Sequence, residues 1–128
     1  MAEIQNKLAK AGAHQILQEY FDGRVIAVSF RIKTGFGDMA FRLPANVDAV
    51  LQVLRKQFPR SRMQVDHAER VAWRILKDWT EAQLALIETG MVKLEQVFLP
   101  YIQDNKGITL YEELEARRFH GFALEDKK

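Results

Sequence analysis

Cysteine is absent from this 128-residue chain. That absence excludes disulfides, thiolate metal sites and cysteine nucleophiles, and it fits a reducing compartment. Long apolar runs are missing too, since none approaches the ~18 residues of a membrane span, and the opening residues are too polar for a secretion signal. We therefore expect a soluble, cytoplasmic protein that makes no membrane contact. Its length predicts one domain over residues 1–128, with a loose tail at 123–128.

Residue types used in catalysis are also sparse. The three histidines, at 14, 67 and 120, fall on different predicted helices, and none has a metal-ligating neighbour three or four residues away. Neither of the two serines lies in a G-x-S-x-G elbow. The "GFGD" at 35–38 lacks the third glycine and the following helix of a dinucleotide fingerprint. We expect a non-enzymatic protein with no metal site and no cofactor.

Positive charge is concentrated in one part of the chain. The formal net charge is only +2, but residues 24–62 hold eight lysines and arginines against two acidic residues, Asp38 and Asp48. Cations gathered in this way meet phosphates or the acidic surface of another protein. The eight basic positions are Arg24, Arg31, Lys33, Arg42, Arg55, Lys56, Arg60 and Arg62.

The clearest secondary structure is a β-hairpin over about 24–43. Two segments of alternating apolar and polar residues flank a glycine-rich turn at 34–38. One face of this hairpin is apolar and the other is basic. Because an isolated two-stranded ribbon is marginal in water, the hairpin must lie on helices or pair with another strand, including one from a second subunit. The basic face carries Arg31, Lys33 and Arg42.

Helical periodicity predicts about five helices besides the hairpin, so the expected fold class is α+β. Asn46 can cap the second helix, and Gly90 stands where a left-handed residue would end the third. Two pairs have the spacing of capping boxes, Ser61 with Gln64 and Thr109 with Glu112. The predicted helices cover residues 3–21, 47–58, about 62–89, 92–99 and about 110–120.

The helix at about 62–89 is expected to be the centre of the fold. Its apolar residues cover about 200° of a helical wheel, roughly twice an ordinary amphipathic stripe, so neighbours must cover it on two sides. Trp73 and Trp79 lie in that arc and are expected to anchor different neighbours. The charged residues fall on a narrow outer stripe, where two pairs have ion-pair spacing, Arg74–Asp78 and Lys77–Glu81.

Two polar side chains interrupt the apolar arc of this helix. Thr80 can bond back to a carbonyl of its own helix. Gln83 cannot do so as easily, and a buried amide without partners costs about 1–3 kcal/mol. We expect Gln83 to meet a backbone group of a neighbouring segment, a buried ligand or a partner chain.

The stretch "RVAWRILKDWTEAQLALIE", followed by "VFLPY", resembles small proteins of bacteriophages and other bacterial mobile elements. The resemblance covers mainly residues 70–101. It implies a bacterial host cell, where small proteins commonly serve DNA metabolism or block host defence. It carries no activity, cofactor or catalytic residue over to this chain.

The leading hypothesis is a non-enzymatic accessory protein that binds nucleic acid through the basic hairpin and the basic residues that follow it. Cations would meet phosphates, while Phe36, at the hairpin tip between two glycines, would stack on a base. One alternative is an inhibitor or adaptor that binds a host or defence complex. Another is a nucleotide-binding oligomer, and a third is an edge guarded by solvated charges. The expected binding residues are Arg31, Lys33, Phe36, Arg42, Arg55, Lys56, Arg60 and Arg62.

Overall fold

The computed structural model describes residues 2–124 and confirms the α+β class. Residues 125–128 of the expected tail lie outside this range. Within it, five α-helices accompany one antiparallel sheet of four strands. The helices are α1 (Ala2–Lys10), α2 (Val47–Gln57), α3 (Val65–Glu88), α4 (Leu94–Val97) and α5 (Leu110–Ala116). The strands are β1 (Gln15–Phe21), β2 (Arg24–Thr34), β3 (Gly37–Pro44) and β4 (Ile102–Gln103).

The predicted hairpin is confirmed as β2 and β3. A two-residue turn joins them, because Thr34 pairs directly with Gly37. The Thr34 hydroxyl accepts a hydrogen bond from the Phe36 N–H at 3.1 Å and donates one to the Gly37 carbonyl at 2.9 Å. This small network fixes the tip, so that Phe36 is held at the end of the ribbon.

The expected helix at 3–21 is wrong beyond residue 10. Gly12 has a φ of 109°, which a right-handed helix cannot contain, and the chain reverses there into β1. Asp22 and Gly23 then take φ values of 52° and 77°, as a tight hairpin turn of primed type requires. β1 therefore pairs with β2, and the hairpin gains a neighbouring strand from within the same chain.

The sheet has the order β1-β2-β3-β4, and its inner face forms the core with the helices. Phe30 stacks on Phe41 across the β2–β3 pair, with ring centroids 5.1 Å apart. Phe98, just after α4, is fully buried and meets both rings edge-on at 5.6 and 5.9 Å. Ile4 and Leu8 of α1 belong to the same cluster. This aromatic centre ties the residues after α4 to the middle of the sheet.

α3 is the long central helix that the sequence predicts. Trp73 is buried in the core, and Trp79 lies edge-on to Phe98 and Tyr101 at 5.4 and 5.8 Å. The C-terminal end of α3 is as expected, because Gly90 has a φ of 79°. Its N–H donates to the Ile87 carbonyl, and the N–H of Met91 donates to the Leu86 carbonyl. Within the described residues no helix is both long and apolar enough to span a bilayer.

The expected start of α3 at a Ser61–Gln64 capping box is wrong. The N-cap is Gln64 itself, with extended backbone angles and no side-chain capping bond. Ser61 instead lies in a turn, where its N–H donates to the Phe58 carbonyl at 3.0 Å. The helix begins only at Val65, because the first side chain that it buries, the fully enclosed Ala68, lies in the turn that starts there.

Two later helices are shorter than their patterns predict. The segment 92–99 is helical only in α4, and Pro100 lies inside a 3-10 turn, Leu99–Tyr101, rather than ending a helix. α5 starts at the expected Thr109–Glu112 capping box. It ends at Ala116, because Arg118 and Phe119 have positive φ values of 56° and 53° that bring the Phe119 ring onto Tyr111.

The charged stripe of α3 pairs mainly with α1. Neither expected pair, Arg74–Asp78 or Lys77–Glu81, is formed between these described side chains. Lys77 lies 2.9 Å from the carboxylate of Glu3 and 4.0 Å from that of Asp78, and Lys7 lies 4.0 Å from Glu81. The hydrogen bond with Glu3 raises the pKa of Lys77. α1 therefore covers part of a stripe that the sequence left to solvent.

Candidate functional site

The basic face of the hairpin is the first place to look for a partner. Arg31 and Lys33 of β2 lie on its outer face together with Arg42 of β3, which is opposite Ser29. This is the arrangement that the alternating sequence predicts. The neighbouring strand β1 and the turn into it now also border this face, and they bring one carboxylate, Glu19, and one histidine, His14, to it.

Arg42 is held by a carboxylate from β1. Its Nε and Nη2 atoms donate to the two oxygens of Glu19 at 2.8 and 3.0 Å, a bidentate pair that reaches across β2. The hydrogen bond from Arg42 lowers the pKa of Glu19, and the same bond raises the pKa of Arg42. A phosphate would have to displace Glu19 to take the full guanidinium fork of Arg42.

Arg31 is paired at the other end of the sheet. Its Nη2 lies 2.9 Å from one oxygen of Asp38, while Nε2 of His14 lies 2.7 Å from the other. The hydrogen bond with His14 is the main cause that lowers the pKa of Asp38, and Arg31 adds to it. His14 thus has a structural partner on this sheet.

The hairpin face is therefore less basic than its sequence suggests. Two of its three cations are neutralised by carboxylates that strand pairing brings within reach. Lys33 has no carboxylate among residues 2–124 within 4.0 Å. It lies close to the tip, where the Phe36 side chain is 74% exposed. Lys33 and Phe36 are therefore the candidate binding residues of the hairpin that no described carboxylate engages.

The other four predicted cations lie in residues 55–62, which we call the basic connection. It comprises the last turn of α2 and part of the segment that joins α2 to α3. All four are exposed, and no carboxylate of a described residue lies within 4.0 Å of them. No acidic residue occurs between Asp48 and Asp66. The four are Arg55, Lys56, Arg60 and Arg62.

An exposed aromatic ring stands in the middle of the basic connection. Phe58 ends α2, donates its N–H to the Leu54 carbonyl at 2.9 Å and leaves 53% of its side chain exposed. With the three residues that follow, it lines an open depression of about 540 Å³. Sequence reasoning missed Phe58 as a binding group because its spacing fits the apolar stripe of α2. Its position after the last helical turn could have indicated exposure.

The structure thus divides the eight predicted binding residues into two groups. α2 packs mainly on α3, and the basic connection begins in the last turn of α2. Lysine and arginine near a helix C-terminus also complement the helix dipole, which gives Arg55 and Lys56 a structural reason to be there. That reason does not extend to Arg60 and Arg62, which lie outside the helix.

Gln83 does not meet a backbone group of a described neighbouring segment, which was one of its three expected partners. It is half-buried, and its amide forms no hydrogen bond with a described residue. The expected back-bond of Thr80 is wrong, since its fully buried hydroxyl has no partner among these residues. The indole N–H of Trp73 is likewise without an acceptor within residues 2–124.

Across residues 2–124, no three histidine, aspartate or glutamate side chains come together as a metal site. No protein-family model, no curated protein and no solved structure matches the chain. Function has therefore to be inferred from the chemistry of the chain's own surfaces, among which the basic connection carries four exposed cations that no described carboxylate engages.

Acid should destabilise the protein partly through Glu19. Its pKa lies below the ordinary 4.5 in the folded state, so its contribution is complete above that value and is lost as the pH falls through the folded pKa. We expect the free energy of unfolding to drop between about pH 6 and pH 3, with about 0.5–1 kcal/mol of the drop due to this part-exposed pair. Urea denaturation at both pH values measures it.

The matched variants for this measurement are Glu19→Gln and Glu113→Gln. Glu113 is exposed and has no ion pair with a described residue. The Glu19 variant should lose less stability on acidification than the wild type, whereas the Glu113 variant should follow the wild type. Equal losses in all three proteins would contradict a stabilising role for the Glu19–Arg42 pair.

Proposed function

We propose that this protein binds single-stranded nucleic acid through the basic connection. The observation that supports the proposal most directly is the half-exposed Phe58 ring standing among four exposed cations without described carboxylate partners. Cations hold the phosphate backbone, and an exposed ring gives a stacking surface for a base. Together they form the elements of a sequence-tolerant single-strand site.

The exposed ring favours a single strand over a duplex. A base can stack on Phe58 only when it is free of its own neighbours, as it is in a single strand, a loop or an end. The tip of the hairpin repeats the combination on a smaller scale, with Lys33 beside the exposed Phe36. We propose the tip as a second contact, with Arg31 and Arg42 contributing less because carboxylates already hold them.

The cellular setting is part of the same proposal. A non-enzymatic accessory protein of a phage or mobile element, in a bacterial cytoplasm, would meet single-stranded intermediates of DNA metabolism. The rival proposal is an inhibitor or adaptor for a host or defence complex, for which the basic connection would meet an acidic protein surface. The two differ in whether an aromatic ring matters, because a carboxylate-rich surface offers nothing for Phe58 to stack on.

Fluorescence anisotropy with a labelled thymidine oligonucleotide tests the proposal. If all four cations of the basic connection contact phosphates, log K should fall with log salt with a slope of about −3. Base stacking contributes about 1–3 kcal/mol, so Phe58→Leu should weaken binding by about 5- to 100-fold. Phe122→Leu is the matched control, because this residue is at least as exposed as Phe58, at 69% against 53%, but lies outside both proposed contacts.

Three outcomes would overturn the nucleic-acid proposal. Absence of salt-dependent binding near 50 mM salt would do so directly. Equal affinity of the Phe58 and Phe122 variants would remove the stacking contact. Competition by poly-glutamate as strong as that by the oligonucleotide would favour an acidic protein partner instead.

A further inference from the structure

The two edges of the sheet are protected to very different degrees. β4 has two residues, and Gln103 continues from it into an isolated bridge with Thr109 beside α5. β1 has seven residues, and within residues 2–124 no strand pairs with its outer side. A long edge strand presents a row of free backbone groups, which proteins usually cover, charge or interrupt.

The free backbone groups of this edge can be assigned. The Ala45 N–H donates to the Ile26 carbonyl at 2.8 Å, so the even-numbered residues of β2 direct their backbone groups towards β3. Ile16 and Gln18 lie opposite Phe30 and Val28, two of those residues. Their own N–H and carbonyl groups therefore point away from β2, towards the open side.

The side chains of β1 do not guard this edge. Leu17, Tyr20 and Phe21 are 59%, 64% and 72% exposed, and the strand contains no proline or lysine. Its one ionisable carboxylate, Glu19, is engaged by Arg42. The irregularity in the β1–β2 pair lies in β2, where Ile26 is the residue without a partner in β1, so β1 itself is not bulged. An exposed apolar edge of this kind is typical of a protein–protein interface.

We propose that β1 is a dimer interface, pairing antiparallel with β1 of a second copy about a two-fold axis to make one continuous sheet. The strand is complementary to itself. With the axis at Leu17, the free groups of Ile16 meet those of Gln18 of the other copy, and the two exposed Leu17 side chains pack together. Gln15 then lies opposite Glu19 of the other copy, so no like charges face each other.

This interface is separate from the basic connection and goes beyond single-strand binding. A two-fold axis at β1 closes the assembly, because the described part of each copy has one such edge and the pairing uses both edges. The dimer would carry two basic connections, and a long single strand that contacted both would bind more tightly than a short one. The chemistry of the interface does not depend on what the basic connection binds.

Light scattering coupled to size exclusion tests the proposal on the full chain at about 10–100 μM, a range in which a stable dimer persists. The wild type should have the mass of two chains. Leu17→Lys places like charges against each other at the axis and should give monomers, while its exposed position leaves the folded chain intact. Leu99→Lys, at another exposed leucine, is the matched control and should stay dimeric.

Gln18→Pro is the second variant. It acts mainly on the backbone, and it also removes the exposed side-chain oxygen that accepts from the Tyr20 hydroxyl at 2.7 Å. Proline removes an N–H that has no partner among residues 2–124, so the monomer tolerates it, while pairing across the axis loses a bond. It should also give monomers, with the circular dichroism of the wild type. A monomeric wild type, larger open assemblies, or a dimer that survives both β1 variants would overturn the interface.

Discussion

Replacing Arg55, Arg60 and Arg62 together with glutamine is expected to weaken oligonucleotide binding by about 10²–10³-fold at about 50 mM salt. Each cation that meets a phosphate on a single strand contributes about 0.7 to the slope of log K against log salt. Losing three such contacts should make the slope shallower by about 2, and a shift of that size extrapolates to the stated loss of affinity at low salt. Anisotropy titrations over a range of salt concentrations give both values.

The matched control removes three exposed lysines from other parts of the chain, Lys10, Lys93 and Lys106. Both triple variants lower the formal net charge by the same amount, so they separate a local site from the attraction of the whole molecule. The control should keep nearly the full slope. If the two variants lose affinity equally, the binding is a property of the overall charge and the basic connection is not a site.

Phe98→Ala is expected to have the largest effect on stability, a loss of about 3–5 kcal/mol in the free energy of unfolding. The ring is fully buried and touches Phe30, Phe41 and Trp79 at once, so its removal leaves a cavity that several elements border. A loss of that size is a large share of the 5–15 kcal/mol typical of a domain. Urea denaturation followed by tryptophan fluorescence measures it.

Phe36→Ala provides the comparison for this measurement, because it deletes the same ring from an exposed position at the hairpin tip. Its effect should stay within about 0.5 kcal/mol. Phe98→Leu keeps the site partly filled and gives a measurable transition even if the alanine variant does not fold. A loss below about 1 kcal/mol for Phe98→Ala would show that the aromatic cluster is not the centre of the core.

The parts of the fold that local patterns specify were predictable. A few neighbouring residues specify each of these features: the strict alternation in β2 and β3, the Asn46 cap and the left-handed Gly90. The sequence predicts a helix at β1 because the spacing of Ile16, Leu17 and Tyr20 fits a helix as well as it fits a strand. The turn at Asp22–Gly23, flanked by apolar residues, was the signal that should have outweighed it.

The remaining features depend on residues far apart in the chain. β4 has two residues and becomes a strand only because Ile102 meets Phe41. The pairing of charges also depends on distant residues. The local sequence of Arg42 contains no partner for it, and the partner, Glu19, comes from β1 on the far side of β2. The basic connection is therefore a better candidate site than the hairpin, because the strand order of the sheet brings a carboxylate to the hairpin. No local sequence pattern contains that information. The four cations of the basic connection were predicted, but the exposure of Phe58 was not.

The connectivity of the sheet also sets the order in which a newly made chain can fold. β1, β2 and β3 follow one another directly, so their ladders can close as soon as Pro44 has left the ribosome. The inner face of that meander then lacks α3 and Phe98 until roughly fifty more residues have been added. At 5–20 residues per second, this takes about 3–10 s. During that interval α1 can already shield Phe30 and Phe41, because Ile4 and Leu8 belong to the same cluster, but the two rings stay partly uncovered until Phe98 has been added.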